Sequence, residues 1–169
     1  MQFSDSTFQR SLRPARWRVD GETRVLLAVI YDESRGRLAA YQMEQTQEHF
    51  ICPAAWWGSS SNFGSISNLD MSCELWKRRP QPGSRWQECR ASTCVVVFCA
   101  FDVVDGGAVV VYRRDGDGLL SVCLLADWYS YVPEHGCDRF EELTAHEDRL
   151  GRSPWSTRHL APGVRADRR

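Results

Sequence analysis

The stretch "CVVVFCAFDVVDGGAVVVYRRDGDGLLSVCLLADW", residues 94–128, contains three apolar, β-branched runs separated by two short polar turns. The turns are residues 105–107 and 115–118, and both hold Asp and Gly, which tolerate the positive φ of hairpin turns. The pattern predicts a three-stranded antiparallel meander. Residues 95–104 are apolar on both faces apart from Asp102, so we expect this strand to be central and covered on both sides.

A second strand pair and one helix follow from the same kind of pattern. Residues 24–44 contain an apolar run, a polar turn with glycine and an alternating run, which indicates two paired strands. Residues 138–150 place apolar side chains on one helical face, and Asp138 with Glu141 forms an acidic variant of the capping box. Gly151 follows as a helix stop. We therefore expect one C-terminal amphipathic helix.

Two adjacent tryptophans stand in "ICPAAWWGSSSNFG", residues 51–64, and this stretch resembles the one that closes the meander. Both stretches read alanine, any residue, tryptophan, aromatic, and both have a glycine ten positions after the alanine. Extending the match backwards aligns Tyr31 with Tyr112 and Leu38 with Leu120. The sequence therefore predicts an internal repeat, whose unit is a strand–turn–strand hairpin that runs into a short helical turn.

The helical turn assigns different roles to adjacent aromatic residues, because neighbours on a helix lie about 100° apart. Trp56 and Trp128 are predicted to pack on the sheet, and Gly64 and Gly136 are predicted to end the turns with a positive φ. The outward aromatic residues are candidates for contact with a partner, since Trp and Tyr are favoured interface anchors. These partner-binding candidates are Trp57, Phe63, Tyr129 and Tyr131.

The elements predict an α+β fold, with a mainly antiparallel sheet built from two hairpin-plus-helix repeats and one C-terminal amphipathic helix. A chain of 169 residues suits one domain with a single core. The predicted organisation is an N-terminal segment at 1–16, a single domain at 17–151, repeat one at about 24–68, repeat two at about 94–145 and a basic C-terminal tail at 152–169.

Composition excludes several classes of protein. Hydrophobic residues make up 43% and charged residues 25% of the chain, the balance of a globular protein. The net charge of −1 gives no overall attraction to nucleic acid or to anionic membranes. No stretch reaches the roughly 18 apolar residues of a membrane span, and no secretory signal is visible. The seven cysteines are an odd number without tight pairing, which predicts free thiols, no disulfide and an intracellular location.

The succession "VVVYRRDGDGLLSVCLLADWYSYVPEHGCDRF" resembles the SUKH superfamily, in which a strand, a turn and a strand lead to a leucine–alanine step, an aromatic segment and a glycine. This superfamily joins bacterial toxin-immunity proteins to proteins of herpesviruses and other large animal DNA viruses. The repetition of "YDESRGRLAAY" and "CPAAWW" is most similar to the viral branch. The resemblance covers about residues 24–64 and 108–145. It implies an α+β fold and a non-catalytic role in binding and neutralising another protein.

Few residues show a pattern typical of a metal-binding or catalytic site. His49, Cys52, His135 and Cys137 hold similar places in the two repeats, but they lack the spacing typical of zinc sites. Cys137 lies close to His135, so a small Cys/His enzyme is an alternative interpretation. The acidic turn at 115–118 starts like a calcium loop but lacks the closing ligands. We therefore expect no catalytic residue, no metal and no cofactor.

The sequence thus predicts a non-enzymatic module that binds a partner protein, with a viral antagonist of a host factor as the preferred interpretation. A bacterial toxin-immunity protein and a structural subunit of a large assembly are the alternatives. The basic tail is expected to contact an acidic protein surface or the phosphates of a nucleic acid. The expected location is the cytoplasm or nucleus of a host cell for a viral protein, and the bacterial cytoplasm for an immunity protein.

Overall fold

The computed structural model describes residues 15–59 and 73–144, and this part of the chain is mostly β. Strands hold 52% of the described residues and helices hold 9%. The strands are β1 (Arg16–Val19), β2 (Glu22–Asp32), β3 (Gly36–Met43), β4 (His49–Pro53), β5 (Arg85–Glu88), β6 (Thr93–Asp102), β7 (Ala108–Arg114), β8 (Leu120–Leu124), β9 (Tyr131–Val132), β10 (Cys137–Asp138) and β11 (Phe140–Glu142). The helical segments are a 3₁₀ helix (Ala54–Trp56), α1 (Glu74–Lys77) and α2 (Leu125–Trp128).

Nine of these strands form one mixed sheet. Its main path runs β1-β2-β3-β4-β6-β5-β11, while β7 pairs with β6 and β8 pairs with β7. Every pair is antiparallel except β4 with β6, where Phe50 lies opposite Phe101 in a parallel register. Strands β9 and β10 form a separate two-stranded ribbon.

The described chain contains two copies of one structural unit. The first unit runs from β1 to the 3₁₀ helix, and the second unit runs from β5 to α2. In each unit four strands pair in succession and a helical segment follows the fourth strand directly. A β-bulge interrupts the pairing of the second and third strands at the same place, between Leu26 and Ala28 in one unit and between Val96 and Phe98 in the other.

The turns between the third and fourth strands also agree. The amide of Gln47 donates to the carbonyl of Met43 at 2.8 Å, and the amide of Gly118 donates to the carbonyl of Arg114 at 2.9 Å. Both donors have a positive φ, 61° for Gln47 and 69° for Gly118. The two units therefore agree in their strand order and in the backbone conformation of this turn.

The core has three layers of buried side chains. An inner cluster joins the two units, and it draws on the same strand positions of both. Its buried members are Ile30, Leu38, Ala40 and Ile51 from the first unit and Phe98, Ala100, Val109 and Val111 from the second. An outer cluster covers the opposite face of each unit. Side chains alternate along β3, so that Leu38 and Ala40 lie in the inner cluster while Ala39 and Tyr41 lie in the outer one.

The meander predicted from residues 94–128 is confirmed as β6, β7 and β8. The strand pair predicted from residues 24–44 is confirmed as β2 and β3, with Gly36 at a positive φ of 77° in the turn. These elements were predictable because β-branched runs and glycine turns act locally.

The predicted α+β fold class is wrong, and so is the predicted C-terminal amphipathic helix. Residues 137–142 form β10 and β11 instead, and the capping-box residues Asp138 and Glu141 lie in strands. Phe140 stacks on Trp128 with ring centroids 3.8 Å apart, and β11 pairs with the edge of β5. This tertiary pairing overrides a weak local helix signal. The rest of the predicted helix, from residue 145, lies outside the described residues.

The predicted hairpin-plus-helix unit is also wrong. The helical segments have only three or four residues, and each unit has four strands rather than two. The sequence match that aligned Tyr31 with Tyr112 joined a second strand to a third one. In the structure Tyr112 is equivalent to Tyr41, because each lies opposite the residue that precedes the bulge.

The positive φ at Gly118 generates a stability prediction. The variant Gly118→Val should lower the free energy of unfolding by roughly 1–2 kcal/mol, because a β-branched side chain is strained in the left-handed region. The variant Gly116→Ala in the same turn is the control, since a Cβ there meets Ser92 at an ordinary 3.8 Å. Urea denaturation measures both, and equal midpoints for the two variants would contradict the turn geometry.

Candidate functional site: an aromatic groove beside the second unit

Each unit buries a tryptophan against the outer face of its own strands. This tryptophan follows the fourth strand, and its ring contacts a Trp from the first strand and a Tyr from the third strand of the same unit. The members of this cluster are Trp17, Tyr41 and Trp57 in the first unit and Trp86, Tyr112 and Trp128 in the second. The two tryptophans of each cluster meet edge to face, with ring centroids 5.8 Å apart in the first unit and 5.4 Å in the second. Such contacts add about 0.5–1.5 kcal/mol to the burial of the rings.

The predicted roles of the adjacent tryptophans are reversed in the structure. Trp57 is buried, with 6% of its surface exposed, whereas Trp56 is half-buried. The helical segment begins directly after Pro53 in one unit and directly after Leu124 in the other. Counted from these strand ends, Trp57 and not Trp56 is equivalent to the fully buried Trp128. Trp57 is therefore a packing residue, and it offers no exposed ring to a partner.

The other predicted site residues lie in different settings. Tyr129 and Tyr131 are exposed, at 39% and 59% of their surface, and binding by either of them stays a prediction. Gly136 has a positive φ of 64°, but it lies in the turn between β9 and β10 and does not end a helix. Phe63 and Gly64 lie outside the described residues.

The predicted absence of a disulfide is wrong. Cys137 is bonded to Cys89, which ties β10 to the turn between β5 and β6. Sequence spacing gave no sign of the pair because 48 positions separate the two cysteines. The bond removes the thiol on which the Cys/His enzyme interpretation depended.

The buried free thiols are poorly suited to catalysis. Burial raises the pKa of Cys52, Cys94 and Cys99 to about 12 and that of Cys123 to about 11. These groups are protonated at neutral pH, whereas the thiolate is the nucleophile. His49 stacks on Phe98 with ring centroids 4.7 Å apart, and burial lowers the pKa of its imidazole. In residues 15–59 and 73–144, no three His, Cys, Asp or Glu side chains come together to hold a metal ion.

A groove of about 440 Å³ lies where α1, the residue after α2, β5 and β11 meet, and we refer to it as the α1–α2 groove. Its lining combines apolar, aromatic and basic side chains with one carboxylate. The lining residues are Leu75, Arg78, Arg79, Pro80, Gln81, Trp86, Tyr129 and Glu142. Trp86 lines the groove and also belongs to the buried cluster of the second unit, so that the floor of the groove is continuous with the core.

Tyr129 is fixed at this groove by two contacts. Its hydroxyl donates to the carbonyl oxygen of Arg78 at 2.6 Å. Its ring lies edge-on to Trp86, with centroids 6.2 Å apart and an interplanar angle of 74°. Partial burial raises the pKa of the Tyr129 phenol, so the hydroxyl keeps its proton and remains a donor at neutral pH. The ring is therefore an exposed aromatic surface held in one position.

The basic side chains of the groove differ in their contacts. Arg79 donates to the carbonyl of Trp76 at 2.9 Å and places its guanidinium 4.6 Å from the centre of that ring. Arg78 is exposed, and in the described part of the chain its guanidinium has no carboxylate partner. Arg78 therefore presents a free cation beside the Tyr129 ring.

A second cavity of about 280 Å³ is also lined by residues 79–81. His49, Phe98 and Cys99 line it together with Trp76. Sequence patterns placed residues 77–93 in a polar connection and missed both cavities. The clue was the aromatic and proline content of "LWKRRPQPGSRW", which is high for a simple linker.

No family model matches this chain, and neither a curated protein nor a solved structure does so. Among the described residues, no helix is both long enough and apolar enough to cross a membrane.

The burial of the two adjacent tryptophans generates a prediction that separates them. The variant Trp57→Ala should lower the free energy of unfolding by roughly 3–5 kcal/mol, because it leaves a cavity beside Tyr41. The variant Trp56→Ala removes a half-buried ring and should cost clearly less. Urea denaturation of both variants measures the difference, and a larger loss for Trp56→Ala would contradict the structural equivalence of Trp57 and Trp128.

The disulfide generates a second prediction. Peptide mapping without reductant should recover Cys89 linked to Cys137, and Cys137→Ser should lower the free energy of unfolding by roughly 2–4 kcal/mol. The reason is that the bond restricts the unfolded chain. Cys73→Ser is the control, since Cys73 is free and exposed. Seven titratable thiols in the unfolded, unreduced protein would contradict the bond.

Proposed function

We propose that this chain is a non-catalytic protein-binding module that contacts its partner through the α1–α2 groove. The observation that supports this most directly is the fixed, exposed ring of Tyr129 beside Leu75, two side chains that are each 39% exposed. Tyrosine held in one position loses little conformational entropy on binding, and it is among the residues favoured as interface anchors.

The composition of the groove favours binding over chemistry. Glu142 is the one carboxylate among its lining residues, and neither a histidine nor a cysteine lines it. General acid–base catalysis needs two groups that exchange a proton with the substrate, and nucleophilic catalysis needs an activated nucleophile. The groove offers instead an apolar floor with polar groups at its border, which is the anatomy of a protein interface.

The charge of the groove indicates the chemistry of the partner. Arg78 and Arg79 lie on one side, and Arg78 has no carboxylate partner in the described chain. A partner segment that carries an apolar side chain next to a carboxylate complements this arrangement. The apolar group would lie on Tyr129 and Leu75, and the carboxylate would pair with Arg78.

We further propose that the partner is a host factor and that this chain is a viral protein that neutralises it. This choice of partner rests on the resemblance to the SUKH superfamily alone. That resemblance implies an α+β fold, whereas the described chain is mostly β. The groove therefore supports the general proposal of protein binding, and the resemblance supports only the choice of partner.

Affinity capture from the native host tests the general proposal. Immobilised wild-type protein and the variant Tyr129→Ala are compared by quantitative mass spectrometry. Removal of a hot-spot ring worth about 2 kcal/mol should reduce recovery of the specific partner by about tenfold or more. The melting temperature of Tyr129→Ala should stay close to that of the wild type, because the ring is partly exposed.

Tyr31→Ala is the matched control. Tyr31 is also an exposed tyrosine, at 72% of its surface, but it does not line the groove. Capture should be unchanged by this variant. If Tyr129→Ala and the wild type recovered every specific partner equally, the binding site would not be in this groove.

A further inference from the structure

The outer edge of β1, the first strand of the first unit, pairs with no other strand among the described residues. The carbonyl of Ala15 accepts a hydrogen bond from Leu26 of β2 at 2.8 Å. Backbone groups alternate in direction along an antiparallel strand, so Trp17 and Val19 also direct theirs towards β2. The N–H and C=O groups of Arg16 and Arg18 therefore point away from the sheet, and the described part of the chain supplies no partner for them.

The same edge is occupied in the second unit. Ser84 is equivalent to Ala15, since its carbonyl accepts from Val96 of β6 at 3.0 Å. In the second unit, β11 and its flanking residues bind the backbone N–H and C=O groups that point outward from β5 and the residue after it. The amide of Leu143 donates to the carbonyl of Arg85, and the amide of Cys89 donates to the carbonyl of Arg139. The protein thus shows which kind of segment fits this edge, namely a short antiparallel strand.

Side chains on the two edges correspond in part. Arg16 pairs with Glu44 in the first unit, and Arg85 pairs with Asp115 at the equivalent position of the second. Two residues further along each strand the side chains differ: the first unit has Arg18 where the second unit has a glutamine.

In the second unit that glutamine, Gln87, lies directly opposite Glu141 of β11. Arg18 is exposed and has no carboxylate partner among the described residues. An acidic residue at the place of Glu141 would therefore lie opposite a free cation, and opposite charges in directly facing positions stabilise strand pairing.

We propose that the outer edge of β1 binds an extended, acidic strand of a partner protein, which pairs antiparallel with Arg16–Val19 and places a carboxylate opposite Arg18. Backbone hydrogen bonds would supply affinity, and the charge pair would supply selectivity, as in other cases of strand addition. A second copy of β1 fits poorly, because pairing two such strands brings the arginines of both copies together. The proposal does not depend on the α1–α2 groove.

The chain itself supplies the probe. A fluorescently labelled peptide with the sequence of residues 138–144, "DRFEELT", reproduces the strand that occupies the edge in the second unit. Its binding to the full-length protein is measured by fluorescence anisotropy at low salt. The variant Arg18→Glu should weaken binding about fivefold or more, since it turns an attraction between facing charges into a repulsion. A peptide in which Glu141 is replaced by Lys should bind the wild type weakly and Arg18→Glu well.

Hydrogen exchange identifies the edge that the peptide uses. The amides of Arg16 and Arg18 should exchange rapidly in the free protein and slow down when the peptide is bound, while that of Cys89 should not change. Tyr129→Ala should bind the peptide as the wild type does, so a failure of the groove proposal leaves this result intact.

Three outcomes would overturn the proposal. The first is that the peptide does not bind at millimolar concentration. The second is that the charge-swapped pair is no tighter than the two mismatched pairs. The third is that the Arg16 and Arg18 amides are already protected in the free full-length chain, which would mean that another segment of the chain occupies the edge.

Discussion

The inner cluster holds the two units together, and both units fold around it. Ile30, Leu38 and Ala40 of the first unit pack with Val109 and Val111 of the second, and these side chains are almost completely removed from water. Fully burying a Val, Leu or Ile side chain stabilises the fold by roughly 1.5–3 kcal/mol, so exposing this face would remove a large part of the stability of each unit. One face of the strands packs in the inner cluster, so the opposite face of each unit needs its own cover. Trp57 in the first unit and Trp128 in the second provide part of that cover.

Two equal units need not present equal surfaces, and here they do not. In the second unit β11 covers the edge of β5, a disulfide ties Cys137 to Cys89, and Phe140 stacks on Trp128. The α1–α2 groove forms beside this reinforced half, where Trp86 links its floor to the core. In the first unit, by contrast, no strand within residues 15–59 and 73–144 pairs with the outer edge of β1. The duplicated core thus gives stability, and the differences between the copies give the two candidate binding surfaces.

Sequence patterns predicted a repeat of two-stranded units, whereas the structure has two four-stranded units that match in another register. The match relied on the first tryptophan of each aromatic pair, and so it aligned Trp56 with Trp128. In the structure the correct pairs include Cys52 with Cys123 and Trp57 with Trp128, because strands β4 and β8 end one residue before the helical segment in both units. The Arg-Trp dipeptides that begin β1 and β5 were a further signal. The second of these dipeptides lies in a polar stretch without apolar alternation, which conceals the strand that it begins.

Local sequence patterns were enough to specify the meander of β6, β7 and β8, the hairpin of β2 and β3, and the glycine turns between their strands. These depend on side-chain alternation and on backbone conformations that few residues tolerate. Local patterns did not specify that residues 137–138 and 140–142 are strands, that Cys89 and Cys137 are bonded, or that Trp57 is buried while Trp56 is half-buried. Each of these depends on contacts between residues far apart in the chain, where pairing to an open edge or burial in a shared cluster outweighs local preference.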